Sequence, residues 1–105
     1  MISTTPPPPY YTVIFTSIRS EGDNGYSDMS EKMNTLVKNT PGFLGVESAR
    51  GAQPGEMGIT VSYWKDLESI KAWRSNPEHT VARSKGRAEW YSRFKVRIAK
   101  VERDY

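Results

Sequence analysis

The residues best suited to chemistry lie in the C-terminal half of the chain, around its single histidine. His79, Arg83, Gly86, Arg87 and Trp90 are spaced three or four residues apart, so one helix would present them on one face. A neutral imidazole can act as a general base or ligate iron near pH 7, and a guanidinium can hold a carboxylate or phenolate through two parallel hydrogen bonds. We predict that His79 and Arg83 are catalytic and that Arg87 and Trp90 contact a substrate. A solvated basic face, with His79 as a surface or capping residue, is the alternative.

Four more aromatic residues could form the walls of such a site. Trp73 ends a predicted short helix and Trp64 precedes it, while Tyr63 and Tyr91 lie in or beside predicted strands. We predict that Trp73 joins the catalytic set and lines a cavity between sheet and helices. We predict that Trp64, Tyr63 and Tyr91 bind the substrate, with the phenols orienting a phenolic or quinol ligand. Core packing of the Trp residues and cross-strand packing of the Tyr residues are the alternatives.

The composition excludes several classes of protein. The 105 residues include no Cys and one His, so we expect no disulfide framework, no thiolate metal centre and no all-protein metal site. No apolar run approaches the ~20 residues of a membrane-spanning helix. Residues 1–10 lack the basic end and apolar stretch of a signal peptide. We therefore expect a cytoplasmic protein with no membrane partner.

Hydrophobicity and charge indicate that something outside the chain completes the structure. Only 36% of the residues are hydrophobic, yet three Trp, six Tyr and three Phe are too many for a disordered chain. A folded domain whose core is completed by a partner chain or a ligand fits both facts. The net charge is +3, and an anionic partner is one explanation of the basic C-terminal half. Its basic residues, opposed locally only by Glu89, are Arg83, Lys85, Arg87, Arg93, Lys95 and Arg97.

Two strands and a helix are predicted in the first half of the chain, after a flexible Pro-rich lead-in over residues 1–9. Residues 10–18 are rich in β-branched and aromatic residues and are apolar on both faces, which predicts a strand covered on both sides. An amphipathic helix follows, with Ser27 or Asp28 as its cap, and Pro41-Gly42 ends it. Its apolar stripe consists of Met29, Met33, Leu36 and Val37.

The second half is predicted as a hairpin, a broken helix and a last strand. Residues 43–50 and 58–64 form the hairpin around a Gly/Pro-rich turn. Asp66 caps a short helix, and Asn76-Pro77 restarts a helix that continues to about Trp90. The final strand, which alternates apolar and basic residues, ends at about Val101.

The element order is therefore β-α-β-β-α-β over a single domain, residues 10–105. This order predicts an α+β, ferredoxin-like fold, in which four antiparallel strands carry helices on one face. The other face of the sheet holds aromatic and β-branched side chains. A second sheet, a ligand or a nucleic acid must cover it.

Several of these residues together resemble the antibiotic biosynthesis monooxygenase (ABM) superfamily, and small stand-alone, heme-degrading-monooxygenase-like members in particular. The likeness extends from Tyr10 to Tyr105. It is carried by Pro41-Gly42-Phe43-Leu44, Ser62-Tyr63-Trp64, Leu67-x-x-Ile70-x-x-Trp73, His79 and Trp90-Tyr91.

The resemblance implies a homodimer in which two sheets face each other as an α/β barrel, with Trp73 lining the site. It also implies monooxygenase activity on an aromatic, quinol-type or heme-like ligand. No cofactor is then required, and heme is a substrate or ligand if it binds. A cofactor-free oxygenase needs a substrate that itself gives electrons to O₂, so the protein must deprotonate it, stabilise the anion and exclude water.

Two other classes of function compete with an oxygenase. A dimeric binding module for a small hydrophobic or anionic molecule needs the same fold and no chemistry. An RNA-recognition motif shares the element order but stacks bases on sheet aromatics, where this chain places Ile59 and Val61. We therefore expect no nucleic-acid partner.

Overall fold

The predicted ferredoxin-like fold is confirmed in the computed structural model, which describes residues 2–53 and 55–105. The four strands form one antiparallel sheet in the order β2-β3-β1-β4, with the helices on one face. No helix among the described residues is long and apolar enough to cross a membrane. The elements are β1 (Tyr10–Arg19), α1 (Tyr26–Lys38), β2 (Phe43–Arg50), β3 (Met57–Trp64), α2 (Leu67–Arg74), α3 (Pro77–Lys85), a π-helical turn (Gly86–Trp90) and β4 (Tyr91–Val101).

Side-chain caps begin α2 and α3, as predicted. The Asp66 carboxylate accepts a hydrogen bond from the Ser69 amide at 2.8 Å, and the Asn76 side chain accepts from the amide of His79 at 3.2 Å. The predicted cap of α1, Ser27 or Asp28, was wrong. Gly25 precedes that helix with φ +82°, and this left-handed turn starts the helix at Tyr26.

The helix predicted to continue to Trp90 changes its winding at Gly86. From there to Trp90 the backbone forms a π-helical turn, which takes more residues per turn than an α-helix. The wider turn brings the Trp90 indole to the end of the sheet, where its Nε1 donates to the Asn24 carbonyl at 2.9 Å. Gly86 permits this path because a Cβ there would lie 3.0 Å from the Tyr91 ring.

The two faces of the sheet are covered differently, although the sequence predicts that β1 is covered on both sides. The helices cover the face that carries Tyr11 and Val13. The opposite face, called here the open face, is covered at one end by the N-terminal residues. The Ser3 amide donates to Glu47 at 2.8 Å, and the Ser3 hydroxyl donates to the Val46 carbonyl at 3.1 Å.

The hydrophobic core is small and lies at one end of the helix face. Val37, Trp64 and Ile70 form it, and Tyr11, Val13, Phe43 and Trp73 pack around these three. The other buried apolar side chains among the described residues are Tyr10 and Trp90. At the opposite edge of the same face, β4 leaves Phe94, Val96 and Ile98 between 41% and 52% exposed. The helices therefore leave the apolar side chains of β4 on this face partly exposed.

Replacing Trp64 should destabilise the fold severely. Its side chain is 1% exposed and packs against Phe43, with ring centroids 5.4 Å apart. Trp64→Ala should lower the free energy of unfolding by about 3–5 kcal/mol, because a cavity replaces the indole. Leu67→Ala, at a side chain 52% exposed, is the matched control and should change it by less than about 0.5 kcal/mol. Urea unfolding measures both, and equal effects would contradict this location of the core.

Candidate functional site

The candidate site, called here the cleft, consists of this partly exposed apolar strip over β1 and β4 and the side chains of α3 and the π turn that border it. Its floor is apolar, because β1 and β4 pair in a register that sets Val13 opposite Ile98 and Phe15 opposite Val96. On the side of α3 and the π turn, His79, Arg83 and Arg87 supply polar and cationic groups. The Arg87 guanidinium lies 5.9 Å from the centre of the Phe94 ring, which joins this wall to the floor. The cleft therefore combines an apolar floor with a basic rim.

His79 lies at one end of this cleft and is held in a defined orientation. Its ring stacks on Trp73 with centroids 4.3 Å apart and an interplanar angle of 17°. Its Nδ1 lies 3.0 Å from the carbonyl oxygen of Trp73. A carbonyl can only accept a hydrogen bond, so we assign the proton to Nδ1 and the lone pair to Nε2.

The charge state of His79 follows from its surroundings. The side chain is half-buried, and burial lowers the pKa of His79 below its usual value; the nearby Arg83 acts in the same direction. The hydrogen bond to Trp73 opposes these effects but does not outweigh them. His79 is therefore a neutral imidazole at pH 7, with Nε2 able to accept a proton or ligate a metal.

The junction of α2 and α3 fixes this geometry. Helix ends leave carbonyls without partners inside the helix, and the Trp73 carbonyl near the end of α2 is one of them. It accepts from the Asn76 amide at 3.1 Å as well as from His79. Asn76 in turn caps α3, which places His79 in its first turn. Trp73 thus orients His79 through both its ring and its backbone.

Arg83 and Arg87 supply positive charge next to His79. Arg83 donates to the Arg74 carbonyl at 3.3 Å, and burial, followed by the neighbouring Arg74 and Arg87, lowers the pKa of Arg83. Within the described residues the one ion pair is Lys32–Glu78, so no carboxylate neutralises these arginines. The α3 face of the rim forms a shallow pocket of 280 Å³ lined by Thr80, Arg83, Ser84, Arg87 and Ala88. Its donors and charge favour an anionic group.

The remaining predicted site residues are spread over three places. Trp64 lies in the core beneath Trp73, with ring centroids 6.4 Å apart. Tyr63 is on the open face, where its hydroxyl donates to Glu47 at 2.6 Å, and this bond raises the pKa of Tyr63 to about 12. Trp90 is buried and Tyr91 half-buried at the far end of the cleft. The structure therefore brings together His79, Trp73 and Arg83 but separates them from Tyr63.

A second group of aromatic residues, which the sequence analysis did not select, surrounds Tyr91. Its ring lies 5.1 Å from Phe15 and 5.9 Å from Tyr26, both edge to face. Burial, aided by the Tyr26 phenol, raises the pKa of Tyr91, so its hydroxyl stays protonated. Phe94 also contacts Phe15. Strand register brings Phe15, Tyr91 and Phe94 together, and the alternation of residues within one strand does not specify that register. Tyr26 joins them from α1.

The lowered pKa of His79 predicts a pH-dependent stability. Between pH 7.5 and pH 5.5 the unfolded chain takes up a proton at this residue before the folded chain does, so the free energy of unfolding should fall as the pH falls. His79→Gln should remove this dependence, since His79 is the only histidine. Urea unfolding at the two pH values measures it. A wild-type stability that rises on acidification would contradict the burial of a neutral imidazole.

Solved structures with this fold align along most of the chain. SnoaB, a cofactor-independent oxygenase from Streptomyces nogalater, gives a TM-score of 0.76 at 11% identity, covering 92% of this chain and 97% of SnoaB. Protein SO0527 from Shewanella oneidensis gives a TM-score of 0.75 at 10% identity, covering 89% of this chain and 91% of that protein. At such identities the likeness concerns the fold alone.

Sequence similarity identifies the family. YqjZ, an uncharacterized protein of Bacillus subtilis (strain 168), is 52% identical over 102 residues, which cover 97% of this chain and 88% of YqjZ. The family model described as antibiotic biosynthesis monooxygenase matches residues 9–85. That range takes in every element from β1 to α3, and with them Trp73, His79 and Arg83. The chain belongs to the antibiotic biosynthesis monooxygenase family.

Proposed function

We propose that the protein is a monooxygenase that acts on an aromatic phenol or quinol bound in the cleft. The observation that carries the proposal is the arrangement of His79: its Nδ1 is held by the Trp73 carbonyl, and its ring lies against the Trp73 indole. This leaves a neutral Nε2 as a base at the edge of an apolar cleft. A basic rim containing Arg83 lies beside it, where a phenolate would form.

A naphthol illustrates the chemistry. His79 Nε2 takes the hydroxyl proton, and Arg83 stabilises the phenolate. The phenolate transfers an electron to O₂, and the two radicals combine to form a carbon–oxygen bond para to the phenolic oxygen. The His79 imidazolium then returns its proton to the peroxide, giving a hydroperoxide. Loss of water from the hydroperoxide leaves a quinone. One oxygen atom of O₂ enters the product and the other leaves as water, and all electrons for its reduction come from the naphthol.

The comparisons support this class of reaction without identifying a substrate. The family is described as monooxygenase, and SnoaB, which shares the fold, is a cofactor-independent oxygenase. A reaction in which the substrate reduces O₂ requires no cofactor, which suits the cleft described above. The alternative is a binding module that holds the same class of ligand without turnover.

Heme is a second ligand for which the donor chemistry is suitable. No cluster of three or more His, Cys, Asp or Glu side chains that could hold a metal ion is present among residues 2–53 and 55–105. If heme binds, Nε2 of His79 would hold its iron, and Arg83 and Arg87 would pair with its carboxylates. Bound iron would supply oxygen activation, and the chain's own part would be to fix the imidazole and exclude water.

We further propose a homodimer that forms through the open face. The central strands place Ile14 opposite Val61 on this face, and Met57 and Ile59 are 55% and 39% exposed. Burial of these side chains against a second copy would remove apolar surface from water. The resemblance to dimeric family members predicts the same arrangement. A monomer mass in sedimentation equilibrium at micromolar concentration would contradict it.

Oxygen uptake with 1-naphthol as the probe tests the proposed activity. Wild-type protein should consume O₂ and release a naphthoquinone in equal amounts. His79→Gln should lower the rate by about 10²-fold or more, because it removes the general base. Lys71→Gln, at an exposed side chain of α2, is the control and should retain the wild-type rate.

The outcomes separate the candidate functions. Tight binding of the naphthol without oxygen uptake would contradict the oxygenase and favour the binding module. A saturable Soret shift on titration with hemin that is lost in His79→Gln would identify heme as the ligand. Oxygen uptake that is equal in wild type and His79→Gln would contradict the role assigned to His79.

A further inference from the structure

A row of four residues crosses the helix face of the sheet at the end away from His79. Strand register sets Arg50 opposite Gly58, Gly58 opposite Ser17, and Ser17 opposite Phe94, so the row includes one residue from each strand. Gly58 has no side chain, which leaves space for the Arg50 side chain to lie across β3. A Cβ on Gly58 would come within 2.4 Å of the Arg50 guanidinium carbon. The guanidinium therefore lies directly over Gly58.

Hydrogen bonds to β1 hold Arg50 in this position. Its Nη2 donates to the Ser17 hydroxyl at 2.6 Å, and its Nη1 donates to the Ser17 carbonyl at 3.4 Å. Ser17 is 2% exposed, so the anchoring group is a fixed part of the sheet. Arg50 itself is exposed, and most of its N–H donors remain available. An arginine fixed by a buried hydroxyl is already oriented for a ligand.

The surroundings of the Arg50 guanidinium are aromatic and positively charged. Within the described residues no carboxylate lies within ion-pair distance of Arg50, since the one ion pair is Lys32–Glu78. Phe94 ends the row, and the Arg87 guanidinium lies above its ring. Tyr91, a protonated phenol, packs beside Phe94 with ring centroids 6.4 Å apart. Positive charge thus lies on both sides of an aromatic surface.

We propose that Arg50, held by Ser17 over Gly58, forms an anion subsite that selects aromatic ligands carrying a carboxylate, sulfonate or second phenolate. This inference rests on the proposed function, since it assigns the far end of the same cleft. The aromatic part of the ligand lies on Phe94 and Phe15. Its anionic group accepts hydrogen bonds from Arg50, at the opposite end from His79. A neutral ring system of equal size binds the cleft without using this subsite.

Two fluorescent probes that differ in one sulfonate test the proposal. Anilinonaphthalene sulfonate carries the anion, and N-phenyl-1-naphthylamine is its neutral counterpart. The wild type should bind both and bind the sulfonate more tightly. Arg50→Gln should weaken binding of the sulfonate about tenfold, the loss expected for a hydrogen bond to a charged group, and leave the neutral probe unchanged. Gly58→Ala keeps the charge of Arg50 but displaces its guanidinium. This variant should weaken binding of the sulfonate to the same extent.

Arg93→Gln is the matched control, because it removes the same charge from the opposite face of β4. Arg93 pairs with Ile18 on the open face, and its replacement should leave both probes unaffected. If Arg93→Gln and Arg50→Gln weaken binding of the sulfonate equally, the preference for the sulfonate comes from net charge, and the proposed subsite is wrong. Unchanged sulfonate binding in Arg50→Gln would also overturn it while leaving the proposed function intact. If the wild type does not bind the neutral probe, the cleft does not bind aromatic ring systems, and this result would contradict the proposed function itself.

Discussion

The helix layer of this protein is too small to cover its sheet, and the rest of the structure depends on that constraint. The two layers pack mainly through Trp64, Val37 and Ile70 at one end. At the other edge, the apolar side chains of β4 are about half exposed to solvent. A chain of 105 residues has little apolar surface to fill both regions. The uncovered part becomes the cleft, and the same shortage leaves Met57 and Ile59 exposed on the open face.

Within the cleft, backbone groups determine how His79 is oriented. The end of α2 offers a carbonyl without a partner in its own helix, and the cap of α3 brings His79 to it. Burial keeps the imidazole neutral, and in the proposed reaction Arg83 supplies the positive charge that a developing anion needs. Arg50 and Phe94 belong to a different part of the sheet. His79 and the proposed Arg50 subsite therefore lie at opposite ends of one face, which only the complete fold assembles.

Patterns within single elements were enough to predict the fold and the placement of His79 and Arg83 close to each other. Capping by Asp66 and Asn76 follows from residue type next to a helix start, and His79 with Arg83 follows from helical spacing. The contacts of Arg50 could not be predicted in this way, because they require the register of three strands and the missing side chain of Gly58. The π turn was missed for a similar reason. It depends on where Trp90 finds a hydrogen-bond acceptor, which is a tertiary property.

The Trp73 carbonyl fixes the proton of His79 on Nδ1 and leaves Nε2 as a base. A long-range ¹H–¹⁵N correlation spectrum of uniformly ¹⁵N-labelled protein at pH 7 tests it directly, since the single histidine gives one set of ring signals. The structure predicts a neutral ring with a protonated Nδ1 and an unprotonated Nε2. A proton on Nε2, or an imidazolium at that pH, would contradict it.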